Sequence, residues 1–370
     1  MKKISNKVKQ QMVFLICCFS FLYIQAQPQY ISENAEISVL TCGTGDEMYT
    51  LFGHTALRVQ DTIQGLDVVY NWGMFDFDTP NFYPKFVKGD LLYYLGVNRF
   101  DDFLESYTEE NREVIEQVLQ LSYDQKTKIW EEINRQLNSE ERYYTYSFIH
   151  NNCTTKVVDV LNKVLEQPLP TDFPSNKNTY RVLYNEGLDA HYFEKLGINL
   201  LFGYGTDQQA ALISLPVKLK DGIDFNKKIL KSEERLNQVS NVENASSFNS
   251  IYTLWGIVIL VALGSFSTNI RGVYFFLTTL FGLFLLAVSL YTQHVELHYN
   301  VLILFFNPLF LFGLSKKRQK IFNIATILAV ISLFFMGIEL VTIVLPLILL
   351  HFSCVFGVFI RNKKVVSLHA

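Results

Sequence analysis

The sequence has little excess charge of either sign, few cysteines and no internal repeat. Its net charge is −3 over 370 residues. This argues against nucleic acid as a partner, because phosphate backbones are bound by clustered positive charge. The absence of a repeat excludes the solenoid architectures that repeats build. Only five cysteines occur, so each thiol can be considered individually.

The first 26 residues have the composition of a signal peptide. A basic start, MKKISNKVKQ, is followed by the apolar stretch MVFLICCFSFLYI and by QAQPQ, which predicts cleavage after Ala26. Cys17 and Cys18 then belong to the discarded segment, and the rest of the chain is exported. The thiols that remain are Cys42, Cys153 and Cys354.

From residue 250 onward the chain becomes strongly apolar. Its composition predicts a five-span helical membrane domain over residues 250–360. The spans are residues 250–267, 272–291, 299–314, 321–339 and 340–360. Lysine and arginine lie in alternate loops and in a basic tail, residues 361–370, which the positive-inside rule places in the cytoplasm. The sequence therefore predicts a multi-pass protein of the inner (cytoplasmic) membrane, with residues 27–249 in the periplasm.

The exported part combines strand patterns with helical ones. EISVLTCGT, HTALRVQDT and GLDVVYNWGMFDF alternate like strands. Residues 98–138 carry apolar side chains at helical spacing, Val114 and Val118 among them, which predicts two or more amphipathic helices. A further helical run begins at Cys153. We therefore expect an α+β periplasmic domain over residues 27–217 and, because residues 218–249 are polar and charged, a linker there.

Cys153 stands at the start of a predicted helix, in the segment YTYSFIHNNCTTKVVDVL. A helix N-terminus favours the thiolate, which is the nucleophilic form, and its backbone N–H groups can face an oxyanion. Two other interpretations remain open from the residues alone. Cys153 can be a buried apolar side chain, or it can form a disulfide with Cys42 in an oxidising compartment.

His54, in LFGHTALRV, begins a predicted strand and is the candidate base for such a thiol. A catalytic histidine needs a third group that orients its ring. Asn71, on the next predicted strand, is the preferred orienting residue, and Asp76 is the alternative. A lone strand histidine is also compatible with a structural role.

Other polar residues are candidates for substrate contacts. His150 and Asn152 flank the cysteine. One interpretation is that they polarise the carbonyl group of a substrate, and the other is that they form the turn and cap the helix. QHVELHYN offers a polar set near the predicted periplasmic edge of the membrane domain, for contact with a phospholipid headgroup or an amine. Its members are His294, Glu296, His298 and Asn300. No third protein ligand accompanies the two histidines, so no metal site is predicted.

The segment FDFDTPNFYPKF is rich in aromatic residues and has two interpretations. Its side chains either dip into the bilayer beside the site or pack in the core. They are Phe75, Phe77, Phe82, Tyr83 and Phe86.

Taken together, several segments resemble the Lnb-type bacterial lipoprotein N-acyltransferases. They are GDEMYTLFGHTALRV, VVYNWGMFDF, ESYTEENREVIEQVLQLS, YTYSFIHNNCTTKVVDVL and, in the membrane half, TQHVELHYNVLILFFNPLFLF. The resemblance implies a circularly permuted papain-like periplasmic domain, related to NlpC/P60 proteins and lecithin:retinol acyltransferase-like enzymes. Thr154 and Thr155 stand where the latter carry an acidic residue and a histidine, so details of that branch do not transfer.

The resemblance also implies an activity. Cys153 would take an acyl chain from a membrane phospholipid as a thioester and pass it to the α-amine of a diacylated lipoprotein. His54 and Asn71 would complete the catalytic set, and no cofactor would be needed. Two alternatives remain, a membrane-anchored peptidoglycan peptidase or amidase with the same dyad, and a non-enzymatic envelope assembly factor.

Overall fold

A computed structural model describes residues 30–239 and 248–366 of the chain. The predicted signal peptide, residues 1–26, lies outside these ranges. So do residues 240–247 of the predicted linker and residues 367–370 of the predicted tail.

The N-terminal half of the molecule is built on one antiparallel sheet. Its strands are β1 Glu36–Cys42, β2 His54–Asp61, β3 Leu66–Met74, β4 Leu92–Arg99, β5 Val114–Leu119, β6 Tyr143–Thr145 and β7 Leu230–Arg235. In the described part of the chain their order is β6-β4-β3-β2-β1-β5-β7, and each neighbouring pair is antiparallel. The helices are α1 Phe82–Lys88, α2 Phe100–Glu109, α3 Tyr123–Leu137, α4 Cys153–Asn162, α5 Tyr180–Glu186, α6 Tyr192–Leu201 and α7 Pro216–Phe225.

Helices cover both faces of this sheet. Alternate strand residues point to opposite faces, so Leu57 of β2 joins one core and its neighbour Ala56 joins another. The larger core contains Trp72 of β3 together with apolar residues of α3, α4 and α7, and the smaller one contains Phe103 of α2. This arrangement of an antiparallel sheet with helices confirms the predicted α+β class. The permuted papain-like fold stays a prediction.

The prediction that residues 98–138 are all helical is wrong for β5. Val114–Leu119 pairs with β1 on one side and β7 on the other. Val114 and Val118 are four residues apart, a spacing that fits a helix face as well as one face of a strand. This segment is a strand because β1 and β7 offer hydrogen-bonding edges on either side of it. The spacing of nearby residues contains no information about those distant strands.

The predicted linker also begins too early in the sequence. Residues 218–225 lie in α7, whose Leu219 and Ile223 are fully buried in the larger core. Residues 230–235 form the edge strand β7, where Arg235 pairs with Glu113 at 2.5 Å. The charges that suggested a solvated linker instead lie on the exposed edge of a sheet, where charged side chains are common.

The C-terminal half is helical. Its helices are α8 Ile251–Gly264, α9 Thr268–Tyr291, α10 Leu302–Phe305, α11 Leu309–Gly313, α12 Gln319–Leu333 and α13 Ile338–Val366. They share an apolar core that includes Phe275, Phe305 and Phe322. The sequence prediction of a helical region after residue 250 is therefore confirmed.

Three helical segments in the described ranges are long and apolar enough to cross a membrane, by length and composition. They are Thr268–Tyr291, Val295–Gly313 and Ile338–Arg361. The apolar helices α8 and α12 are shorter, at 14 and 15 residues. At about 1.5 Å per residue they extend roughly 21–23 Å, less than the ~30 Å of a hydrocarbon core. The five-span topology therefore stays a prediction.

Candidate active site

Cys153 is the first residue of α4, and Asn152 fixes where that helix begins. The Asn152 side-chain oxygen accepts from Thr155 N at 3.0 Å, and Asn152 N donates to Thr155 Oγ1 at 2.8 Å. The Asn152 amide also donates to the carbonyl oxygens of Phe148 and Ser214, at 2.6 and 2.8 Å. This buried capping box satisfies the polar groups at the helix start, so Asn152 performs the capping role predicted as its alternative.

His54 is positioned by a glycine that no other residue can replace without strain. Gly53 has φ 74°, and a Cβ at this position would overlap the carbonyl oxygen of Cys42. The chain can therefore turn tightly into β2 only with glycine here. The His54 Nε2 atom then lies 3.2 Å from Asn71 Oδ1 on β3.

Asn71 determines which nitrogen of His54 carries the proton. Its Nδ2 lies 2.9 Å from Asn98 Oδ1 and 3.4 Å from the carbonyl oxygen of Val69. A backbone carbonyl only accepts, so the amide nitrogen of Asn71 faces Val69 and its oxygen faces His54. His54 Nε2 therefore donates to Asn71, which leaves Nδ1 for the thiol of Cys153.

Asp76, the alternative orienting residue, is engaged elsewhere. Its carboxylate is exposed and accepts from the backbone N–H of Asp78 at 2.8 Å. Of the two predicted orienting residues, the structure brings Asn71 to His54.

The surroundings of Cys153 favour the thiolate. Burial acts to raise the pKa of the thiol, but the charge and hydrogen bond of His54 oppose it, helped by the backbone of Thr55 and the hydroxyl of Thr154. The net effect is a Cys153 pKa below its ordinary value. The hydroxyls of Thr55 and Thr154 lie 3.0 Å apart and join β2 to the start of α4. Because Cys153 is partly exposed, the thiolate is accessible to a substrate.

Tyr144, which is not among the residues predicted from the sequence, and Cys153 both lie beside Gly73. A Cβ built on Gly73 would be 3.7 Å from Cys153 Cβ and 3.9 Å from the Tyr144 hydroxyl oxygen. That hydroxyl is buried and has no hydrogen-bond partner of normal geometry. Burial, and then the negative charge of Cys153, raise the pKa of Tyr144, so its O–H stays protonated. An unpaired donor beside a nucleophile is able to stabilise an oxyanion.

The segment that supplies these residues also matches a known family. Residues 23–186 match the family model described as the Lnb N-terminal periplasmic domain. This segment is similar to the Lnb N-terminal periplasmic domain. The match confirms the resemblance found in the sequence, and it contains His54, Asn71, Tyr144 and Cys153. No curated protein and no solved structure matches the chain.

The second thiol of this segment, Cys42, is buried. Cys42 packs against α2 in the smaller core, and burial raises the pKa of its thiol to about 12. Cys42 and Cys153 are both free thiols. The structure therefore contains no disulfide between Cys42 and Cys153.

The C-terminal half contributes to the surroundings of the site through residues 292–300, which we name the docking loop. Glu296 is fully buried, and its Oε1 accepts from Ile149 N at 2.8 Å and from the Ser147 hydroxyl. The backbone oxygen of Glu296 accepts from Gly203 N at 2.7 Å. Glu296 therefore holds the segment that leads from β6 to Cys153.

The other side chains predicted to contact substrate are bound to backbone groups. His294 Nε2 lies 3.0 Å from the carbonyl oxygen of Phe86, and His298 Nε2 lies 2.9 Å from that of Thr292. Asn300 donates to the carbonyl oxygens of Leu200 and Leu201 at 2.8 and 3.1 Å. His150 is exposed at the surface, close to Cys153 in sequence. The docking loop is thus a joint between the two halves. Among the described residues, no group of three or more His, Cys, Asp or Glu could hold a metal ion.

Proposed function

We propose that this chain is a lipoprotein N-acyltransferase that uses a membrane phospholipid as acyl donor and Cys153 as nucleophile. The observation that carries the proposal is the set formed by Cys153, His54 and Asn71, within an Lnb domain that is joined to helices able to span a membrane. Both substrates are anchored in the bilayer, so a catalytic domain docked onto such helices meets them without extracting either one.

In the first step the Cys153 thiolate attacks an ester carbonyl of the phospholipid. The C–S bond forms while the carbonyl oxygen becomes an oxyanion, for which the Tyr144 O–H and the N-terminus of α4 are the available donors. When the intermediate collapses, the C–O bond breaks and His54, protonated, gives its proton to the leaving alkoxide. The products are an acyl thioester on Cys153 and a lysophospholipid.

In the second step the free α-amine of the lipoprotein's diacylglyceryl-cysteine attacks the thioester. His54, now neutral, accepts a proton from the amine as the C–N bond forms. The C–S bond then breaks, which releases the N-acylated lipoprotein and returns the thiolate–imidazolium pair. Asn71 holds the His54 ring in one orientation through both steps, since its oxygen accepts from Nε2.

The test is mass spectrometry of lipoprotein N-terminal peptides from cells that lack this gene. The cells are complemented with wild type or with Cys153→Ala at matched expression, and Cys42→Ala is the control for loss of a thiol elsewhere. We expect the third acyl chain with wild type and with Cys42→Ala only. Restoration by Cys153→Ala would reject the thiol mechanism.

A polar groove favours a second candidate, a peptidoglycan peptidase or amidase. A cavity of about 460 Å³ beside α4 is lined by Tyr144, Lys156, Asp159 and Lys163, among others, and groups of both charges suit a peptide. The same gene deletion distinguishes the candidates. If lipoprotein acylation never depended on the gene while cell-wall fragments changed in a Cys153-dependent way, the hydrolase would replace the acyltransferase.

A further inference from the structure

Six aromatic side chains form a continuous surface beside the active site, which we name the aromatic ridge. They are Tyr49, Phe75, Phe77, Phe82, Tyr83 and Phe86. Ring centroids lie 4.9 Å apart for Phe75 and Phe77, and 5.1 Å apart for Phe77 and Phe82. Residues from three separate segments of the chain thus make one apolar feature.

The ridge is exposed although it is apolar. Phe77 and Tyr83 are 60% and 75% exposed, and the helix α1 on which Tyr83 lies has no buried residue. An isolated helix of seven residues has little stability of its own in water, because nucleation is unfavourable. A contiguous exposed apolar patch of this kind marks a contact surface. The exposed face of α1 is therefore a candidate contact surface.

The neighbours of α1 identify what covers it. The Thr292 hydroxyl donates to the carbonyl oxygen of Val87 at 2.9 Å, and Gln293 N donates to that of Lys88 at 2.6 Å. The Lys88 ammonium lies 5.8 Å from the ring centroid of Tyr291, the last residue of the candidate span α9. The ridge is therefore at the level of the outer end of that span, where aromatic residues and lysines meet lipid headgroups.

We propose that the aromatic ridge inserts into the periplasmic leaflet of the bilayer beside α9 and guides phospholipid acyl chains toward Cys153. Insertion of the ridge requires a lipid bilayer but no enzymatic activity. The guiding role rests on the proposed acyl transfer.

An aromatic path connects the ridge to the thiol. Phe75 lies 5.3 Å from the ring of Tyr93, between centroids, and Tyr93 lies 6.4 Å from the ring of Tyr144. The Tyr144 hydroxyl and Cys153 Cβ both lie within 4 Å of the Cβ position of Gly73. Tyr93 and Tyr144 are buried, so these ring contacts run through the core and place the ridge near the site, where an acyl chain held on the ridge brings its ester group toward the nucleophile.

Insertion is tested by tryptophan fluorescence of the full chain in nanodiscs of phosphatidylethanolamine and phosphatidylglycerol, with and without bromine on the acyl chains. Phe77→Trp and Tyr83→Trp are made with Trp255→Phe, because Trp255 lies in the membrane half. The matched control is Ile63→Trp, which is also exposed but lies in the turn between β2 and β3. That turn is roughly 25 Å from the site end of the sheet, at about 3.3 Å per strand residue.

We expect brominated lipid to quench the emission of the Phe77→Trp and Tyr83→Trp variants strongly and to leave that of the Ile63→Trp variant unchanged. Equal behaviour of the three variants would overturn insertion. Buried Trp72 and Trp130 emit in every variant, so the spectrum of the Trp255→Phe chain is subtracted first. Blue-shifted emission of the introduced tryptophan that bromine leaves unchanged would mean that protein, such as a second copy of this chain, covers the ridge, and it would also overturn the proposal. This measurement does not depend on any enzymatic activity.

The guiding role is tested with the paired variant Phe77→Ser and Tyr83→Ser, with Ile63→Ser as control. We expect a higher KM for phospholipid at fixed detergent, with kcat and the alkylation rate of Cys153 retained. An unchanged KM in a variant whose thiol still reacts would overturn the guiding role. Membrane insertion would then still be judged by the fluorescence measurement alone. If wild type itself transfers no acyl group, the proposed function fails, and the quenching result still decides insertion.

Discussion

At the scale of single residues, His54 and burial act on Cys153 in opposite directions. Burial raises the pKa of the thiol, and His54 supplies most of what lowers it. Because His54 Nε2 donates to Asn71, Nδ1 is the ring nitrogen left for the hydrogen bond with the thiol. The reactivity of Cys153 is therefore a property of the pair.

His54→Ala is expected to make Cys153 less reactive at neutral pH. Without the imidazolium, burial dominates and the pKa of Cys153 rises, so the alkylation profile shifts to higher pH. The measurement is the rate of iodoacetamide labelling against pH, resolved by peptide mass spectrometry. Cys42, whose thiol is buried with a pKa of about 12, serves as an internal reference that stays unlabelled in the folded protein. An unchanged Cys153 profile would mean that His54 does not act on the thiol.

Tyr144→Phe is expected to lower kcat with little change in the fold. The substitution removes an O–H that has no hydrogen-bond partner of normal geometry, so no buried group loses a well-formed bond. Loss of one oxyanion donor typically lowers kcat by roughly 10²–10³. Acyl transfer is measured beside the thiol alkylation rate, which should be retained. A kcat equal to that of wild type would exclude Tyr144 from the oxyanion site.

Sequence patterns could indicate Cys153, His54 and Asn71 because each occupies a recognisable position at a helix start or on a predicted strand. Tyr144 could not be found in this way. Its importance depends on the close approach of Gly73 to both its hydroxyl and the thiol, which follows from the packing of β6, β3 and α4. No pattern in the neighbouring residues distinguishes Tyr144 from the other tyrosines of the sequence.

At the scale of elements, the sheet depends on pairings between distant segments. β1, β2 and β3 were predictable because they are adjacent in sequence and alternate clearly. β5 and β7 were not, since β5 lies between strands from opposite ends of the domain and β7 is mostly charged. The capping of α4 by Asn152 was predictable because it involves only residues three apart.

Gly203→Ala is expected to loosen the joint between the two halves. A Cβ on Gly203 would overlap the carbonyl oxygen of His298, so the docking loop would have to move. Gly197→Ala on α6 is the matched control, because nothing lies within 4 Å of its Cβ position. Gly203→Ala should lower the thermal midpoint and the transfer rate, whereas Gly197→Ala should do neither. Equal behaviour of the two variants would contradict the close approach at residue 203.

At the scale of the whole molecule, Glu296 connects the C-terminal half to the segment that leads to Cys153. Its position was predictable only as a polar residue near the membrane edge, whereas its contacts with Ser147 and Ile149 join residues almost 150 positions apart in sequence. Such contacts depend on how the two halves of the chain meet. No local pattern contains that information.

Glu296→Ala is expected to free the segment before Cys153. The change leaves a buried N–H of Ile149 without its acceptor, at a cost of about 1–3 kcal/mol. Hydrogen exchange of residues 145–152 should accelerate and acyl transfer should slow, with Glu296→Gln less affected because it keeps an acceptor oxygen. Glu105→Ala on α2, an exposed glutamate, is the control. Unchanged exchange in Glu296→Ala would show that the docking loop does not hold this segment.

The most direct test of the proposed function is to look for the acyl thioester on Cys153. The purified chain is incubated with phospholipid in the absence of an acceptor, and its peptides are analysed by mass spectrometry before and after neutral hydroxylamine. We expect one acyl group on the Cys153 peptide, removed by hydroxylamine, absent from Cys153→Ala and consumed when a diacylated lipopeptide is added. Acylation of the lipopeptide by Cys153→Ala, or transfer that proceeds while Cys153 stays unmodified, would contradict it.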